Sequence, residues 1–345
     1  MRPAAAILAV AALLSPCDLQ ADASRNVEVL SFDALDGWLQ DDHDAALATF
    51  LKTCGDMKEP DWSALCGIAR EALDARWFFE TFFRPVLIED SDTSLVTGYF
   101  EPELRGSRTR TVKYRIPVYA KPPELVEGNL WHDRETIEVG NVVSGRGLEL
   151  AWVDDPTALF YMQVQGSGRI RLTDGNVLRL GYAASNGHTY RSPGEMLADR
   201  GVFSRHQVSA PVVAQWVRDN PVAGAELLRN SPSYVFFRKI NGGSEADGPR
   251  GAMNRPLTQG RSLAIDPSIV KLGAPVWLEK GGDQTIRRLM IAQDTGSAIK
   301  GAQRADFFVG TGEQAGRTAQ RMRDAGRMFV LLPIERAFTL ALESN

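Results

Sequence analysis

The sequence predicts a mainly β protein with flanking helices, and three observations carry that prediction. Its 31 glycines and 18 prolines are spread along the 345 residues, which suits many short strands joined by turns. Long central and C-terminal stretches consist of short aromatic or β-branched runs broken by Gly, Pro and Asp. Apolar residues at helical spacing are confined to the N-terminal region, one interlude and one segment near the C-terminus. At 44% hydrophobic and 24% charged residues, the chain is globular and long enough for two domains.

In chain order, residues 1–23 (MRPAAAILAVAALLSPCDLQADA) have one Arg, an apolar run and small residues before a cleavage site at Ala21-Asp22-Ala23, the order of a secretory signal peptide. The mature protein is expected to be exported. Leu14-Ser15-Pro16-Cys17 resembles a lipoprotein box broken by Pro16, so a soluble form is expected, and the state of Cys17 decides whether the protein is attached to the outer membrane. No later segment reaches the ~20 apolar residues that span a bilayer. In an oxidising compartment Cys54 and Cys66 are expected to pair, which adds about 2 to 3 kcal/mol. Helical spacing runs over Phe32–Leu51 and Cys66–Phe83, with Pro85 ending that stretch. Strands are expected in SLVTGYFEPEL, RIPVYAKP, LELAWV, LFYMQVQGSGRIRL and VLRLGYAA. A helical interlude covers Pro193–Leu228, and strands return in PSYVFFRKI, SLAIDPSIVKLGAPVWLEK, IRRLMIAQD and RMFVLLPI. Between the last two lies a helix, Gly312–Ala325, stopped by Gly326. Trp152, Trp216 and Trp277 read as core, and Asp266 as a turn residue. This pattern permits one large barrel or a barrel interrupted by an inserted domain.

A net charge of -4 offers no basic field for phosphate backbones, so no nucleic-acid partner is expected. His43, His132, His188 and His206 lie far apart without ligand spacing, so neither a metal nor another cofactor is expected.

The stretch LMIAQDTGSAIKGAQRAD, Leu289–Asp306, carries the chemistry. Its Asp294-Thr295-Gly296 resembles an aspartic-protease loop, but such an enzyme needs two of them sharing a proton, and only one is present. A plain turn, with Asp capping backbone N–H groups, is the simpler account. Against it stands the company of Asp306 before Phe307-Phe308: two carboxylates on one loop can converge on one cleft, where burial keeps one protonated as an acid.

The blocks VTGYFEPEL, IPVYAKP, FYMQVQGSGRIRL, LGYAASNGHTYRSPGEML, NPVAGAELLRNSPSYVFFR, PLTQGRSLAIDPSIVKLGAPVWL and IAQDTGSAIKGAQRADFFVGTGEQAG, in this order, resemble the MltA-type lytic transglycosylases. The resemblance implies a double-psi β-barrel from residues 24–103 and 231–345, interrupted by a smaller β-domain, 104–230, with a substrate groove between them. It also implies an exo-acting lyase that cuts the β-1,4 bond between N-acetylmuramic acid and N-acetylglucosamine and leaves a 1,6-anhydro ring. The expected partner is the peptidoglycan glycan strand, with other cell-wall enzymes beside it, and the protein is expected to be a monomer. Asp306 would act first as general acid, then as base, with Asp294 as its supporting neighbour, holding it and raising its pKa, or as the alternative acid. Thr97, Gly98 and Tyr99 would line the cleft with Thr295, Gly296 and Lys300, while Gln165, Ser167 and Gly168, and beyond them Asn186 and Tyr190, would contact sugar from the insert. A two-carboxylate hydrolase and a non-catalytic wall-binding module are the other readings.

Overall fold

The computed structural model describes residues 25–244 and 247–344; the expected leader, with Cys17, lies outside them. The chain opens with β1 (Asn26–Val29), α1 (His43–Leu51), α2 (Pro60–Glu71), α3 (Ala75–Phe82), β2 (Phe83–Glu89) and β3 (Leu95–Glu101). Local chemistry sets the helix starts. Asp42 accepts from Ala45 N at 3.0 Å, Pro60 occupies the first turn of α2, and Asp74 accepts from Trp77 N at 2.9 Å. The Asp74 cap explains why the one helix expected over Cys66–Phe83 is two. Pro85 lies within β2, after the helix has already ended at Phe82. Phe50, Phe78, Phe79 and Phe83 bury one another beside Trp62, each contributing roughly 2 kcal/mol through area removed from water. A Cys54–Cys66 disulfide, with Cα atoms 5.4 Å apart, fastens α2 to the turn after α1.

The middle of the chain holds β4 (Glu103–Ser107), β5 (Ile116–Tyr119), α4 (Arg134–Glu138), β6 (Glu149–Val153), α5 (Pro156–Gln165), β7 (Gly168–Leu172), β8 (Val177–Ser185), α6 (Pro193–Asp199), α7 (Ala210–Asp219), α8 (Pro221–Arg229) and β9 (Val235–Lys239). Its six strands form one sheet in the order β5-β6-β4-β7-β8-β9. The expectation of strand through LFYMQV is corrected to helix. Asp155 caps Thr157 N and Ala158 N, Pro156 fills the first turn, and Gly166 at φ 77° ends α5. One side of the sheet buries Leu104, Ile170 and Leu172 against Met162 of α5. β9 belongs to this sheet, so the chain leaves it after Lys239 rather than at Ser231-Pro232.

The C-terminal part comprises β10 (Ser262–Ile265), β11 (Pro275–Lys280), β12 (Ile286–Thr295), β13 (Arg304–Thr311), α9 (Gly312–Ala319), β14 (Arg323–Asp324), β15 (Gly326–Pro333) and α10 (Ile334–Glu343). α9 stops at Ala319, short of Ala325, because Arg323 and Asp324 pair with Thr97 and Val96 to cover the edge of β3. The nine-stranded sheet runs β1-β2-β15-β11-β12-β10-β13-β3-β14. β10 is parallel to β12 and β13 is parallel to β3, while the other neighbours are antiparallel. Strands from both sides of the inserted sheet therefore interleave in a barrel-like sheet. Trp277 lies in its core, whereas Trp152 and Trp216 are only half-buried. No helix among the described residues is long and apolar enough to cross a membrane.

Candidate active site

β13 runs between β10 and β3, and this placement builds the site. Asp306 stands opposite Ala264 on one side and Thr97 on the other, and Ala264 stands opposite Asp294 of β12. Residues paired in register project to the same face, so Asp294, Ala264, Asp306 and Thr97 form one row. Two strand spacings separate the aspartates, about 10 Å, with only a methyl group between them. Both carboxylates therefore sit on strands, not on the shared loop expected, and the loop 296–303 merely connects those strands.

The two carboxylates are held differently. Thr97 Oγ1 donates to Asp306 Oδ1 at 2.6 Å, and no group among the described residues is hydrogen-bonded to Oδ2. Both oxygens of Asp294 accept hydrogen bonds. Its Oδ1 accepts from Ala252 N and Thr295 N, each at 3.0 Å, and its Oδ2 accepts from the Tyr99 hydroxyl at 2.9 Å. Burial pushes the Asp306 carboxyl up to about 6, against the downward pull of Thr97 and the Arg304 charge. Burial likewise raises Asp294 to about 6, opposed by its three donors. Desolvation thus outweighs mutual repulsion, and the expectation that the Asp294 charge raises its neighbour describes the weakest contribution. Desolvation and the facing Asp294 raise the pKa of Tyr99 well above the usual phenol value, so it remains a donor.

Thr97 and Tyr99 point to this face, with Tyr99 packed 5.3 Å from the Phe308 ring. Gly98, between them, is corrected to a packing residue. A Cβ there would meet Ala319 Cα at 3.0 Å and Met322 Cβ at 3.2 Å, so the position lets α9 approach β3. Gln165 Oε1 accepts from Phe100 N at 3.2 Å, which brings the end of α5 to the strand bearing Tyr99. Ser167, half-exposed, follows it. Gly168 is corrected to a buried packing position, since a Cβ would lie 2.4 Å from Met162 Sδ.

Asn186 does not face a groove. It is fully buried, its amide donating to His132 O and Pro232 O and its oxygen accepting from Tyr234 N. Tyr190 is partly exposed against Phe160, with no contact to the aspartates. Thr295 contributes its N–H to Asp294, and Gly296 begins a turn closed by Ile299 N. Lys300 is exposed and pairs at 3.6 Å with Asp266, whose carboxylate also accepts from Gly301 N at 3.1 Å. Asp266 therefore pins the connecting loop as well as its own turn.

Three features escaped the sequence reading. Ala252 acts through its backbone, which no side-chain motif reveals. Arg304, two residues before the acid, gave no signal. Glu101 and Arg169 form a buried ion pair at 2.7 Å, with Thr311 Oγ1 donating to the same carboxylate at 2.8 Å. These three residues join the ends of β3 and β13 to β7, where the two sheets meet. No group of His, Cys, Asp and Glu among the described residues is arranged to hold a metal ion.

Residues 95–238 match the MltA specific insert domain and residues 261–332 match the 3D domain. A crystal structure of MltA from Neisseria gonorrhoeae superposes with a TM-score of 0.80 at 31% identity, covering 91% of this chain and 94% of that one. The chain belongs to the MltA family. Membrane-bound lytic murein transglycosylase A of Escherichia coli strain K12 is 36% identical over 246 residues, which span 68% of this chain and 64% of the relative. The matched region thus covers slightly under two thirds of that family member. A further MltA structure, from E. coli with bound chitohexaose, superposes with a TM-score of 0.73 at 28% identity, covering 90% of this chain and 95% of that one.

Proposed function

We propose that this protein is a lytic transglycosylase of peptidoglycan, cleaving between N-acetylmuramic acid and N-acetylglucosamine with Asp306 as its only acid and base. The observation that carries this reading is the unshared Oδ2 of Asp306, on a carboxyl that burial keeps protonated up to about pH 6 and that Thr97 holds in orientation. Asp306 gives its proton to the glycosidic oxygen as the bond to C1 breaks. Its carboxylate then takes the proton of the C6 hydroxyl as that oxygen closes on C1, so the proton count balances and no water is consumed. Asp294, raised to about 6 by burial against the pull of its three donors, steadies the positive charge developing on the sugar when it is ionised.

A hydrolase would need Asp294 to activate water, and three donors already take most of the acceptor capacity of its two oxygens. Family likeness and the bound chitohexaose of the E. coli relative support a glycan ligand. Exo-type cutting, a periplasmic location and a monomeric state rest on the family resemblance and the leader-like N-terminus. Digestion of purified peptidoglycan followed by mass spectrometry tests the proposal. Anhydro-muropeptides, one water lighter than hydrolysis products, are expected from the native protein and absent with Asp306→Asn. Fully hydrated fragments would overturn it, and release of single disaccharides rather than mixed lengths reads the exo mode.

A further inference from the structure

Between Glu103 and Glu124 the chain carries Arg105, Arg108, Arg110, Lys113, Arg115 and Lys121 and no acidic residue, in a protein whose net charge is -4. This segment forms β4, β5 and the loop between them, which is ordered: Thr111 N bonds Tyr114 O, and Tyr114 N bonds Thr111 Oγ1. Arg108 pairs with Asp174 and Lys113 with Asp154. Arg105, Arg110 and Arg115 are exposed and have no acidic partner among the described residues, Arg110 lying over the Trp152 ring at 5.8 Å.

Strand register gives the patch its direction. Glu103 pairs with Arg169 and Arg105 with Arg171, so these four share the sheet face opposite Leu104 and Ile170. The inner end of that face is where Arg169 grips Glu101 at the end of β3. From Thr97 to Arg105 the chain runs extended with one break at Pro102, at most about 25 Å. The basic face therefore continues outward from the strand that orients Asp306. Guanidinium groups match planar carboxylates through paired N–H donors, and a stacked arginine such as Arg110 is partly pre-positioned for that.

Resting on the wall-cutting function proposed above, we propose that Arg105, Arg110 and Arg115 form a second recognition surface for the carboxylate-bearing peptides attached to the glycan strand. The glycan occupies the groove and its peptides are drawn along the outer face of the inserted sheet.

The test is co-sedimentation of the native protein and of the Arg105→Gln/Arg110→Gln/Arg115→Gln variant with three materials. These are intact peptidoglycan, peptidoglycan stripped of peptide by an amidase, and vesicles containing phosphatidylglycerol. Retention of the variant on intact wall is expected to fall about three- to thirty-fold, as loss of several exposed charge pairs would give, with equal retention on stripped glycan. For the native protein, added salt should erase the difference between intact and stripped wall, an arm that needs no variant to fold. Equal retention of both proteins on intact wall, or equal losses on intact and stripped wall, would overturn the proposal, as would a loss confined to vesicles. Release of anhydro products is read separately, so failure of the activity and failure of the peptide surface remain distinguishable.

Discussion

Asp294 and Asp306 flank the same residue, Ala264, from adjacent strands, yet they make no hydrogen bond to one another. Their differing partners predict unequal consequences of substitution. Asp306→Asn should remove turnover by about a thousand-fold or more, the scale of a lost acid-base group. Asp294→Asn, which keeps an oxygen for Tyr99 or the loop, should cost about ten- to a hundred-fold. A larger loss from Asp294→Asn, in rates of anhydro-product release, would exchange their roles.

The same Asp306→Asn change should stabilise the fold at neutral pH. A carboxyl whose folded pKa is raised from 3.8 to about 6 favours its neutral form, so ionisation weakens the native state. That penalty is absent below about pH 4, grows between the two values and is complete above about pH 6. Removing the charge should therefore add about 1 to 2 kcal/mol at pH 7.5 and nearly nothing at pH 3.5. Urea unfolding at the two pH values reads the difference.

On the mechanism proposed above, Asp306 must hold its proton when substrate arrives, so kcat/KM should decline as pH rises through about 6. Thr97 lowers the Asp306 pKa by its 2.6 Å hydrogen bond. Thr97→Val should move the declining limb to higher pH and reduce the rate about ten-fold through lost orientation, while Thr97→Ser should restore both. An unchanged profile in Thr97→Val would mean that the hydroxyl is not read by the acid.

Glu101 and Arg169 are buried together at the junction of the sheets. Truncating one partner leaves the other charge stranded, so Arg169→Met should cost about 3 kcal/mol or more in thermal or urea unfolding. Glu101→Leu combined with Arg169→Met should recover much of that loss. Equal destabilisation by the double variant would point to packing rather than charge as the cause.

Loss of the Cys54–Cys66 bridge should cost about 2 to 3 kcal/mol by the chain-entropy argument. The bridge makes no bond to either aspartate, although Thr53 beside it accepts from Nε2 of Gln293, the residue before Asp294, at 3.0 Å, so activity of the reduced or Cys54→Ala/Cys66→Ala protein at room temperature should be largely kept. A parallel fall in turnover would require the N-terminal helices to position the site.

Much of this was legible in the sequence, and the misses share a cause. Asp306 stood out because it precedes an aromatic pair within a recognisable block, and the β-rich texture followed from turn residues. Its strand was missed because ADFFVGT is brief and abuts a glycine-rich loop. α5 was read as strand because its aromatic run drew attention away from the Asp155-Pro156 start and Gly166 stop. Asn186 and Gly98 were misjudged because their duties depend on distant segments, Tyr234 and α9, that local pattern does not bring near. Spacing along the chain marks chemistry well, but it cannot say which polar groups are already spent on the protein's own backbone.

The parallel pairing of β3 with β13 also sets a timetable. Thr97 and Asp306 are separated by 209 positions, and the inserted sheet is made in the interval. During synthesis from the N-terminus, the hydroxyl waits for an acid that arrives only after the inserted sheet is finished. On the proposed mechanism a partly made chain therefore lacks its acid, and any cutting waits until the last strands close.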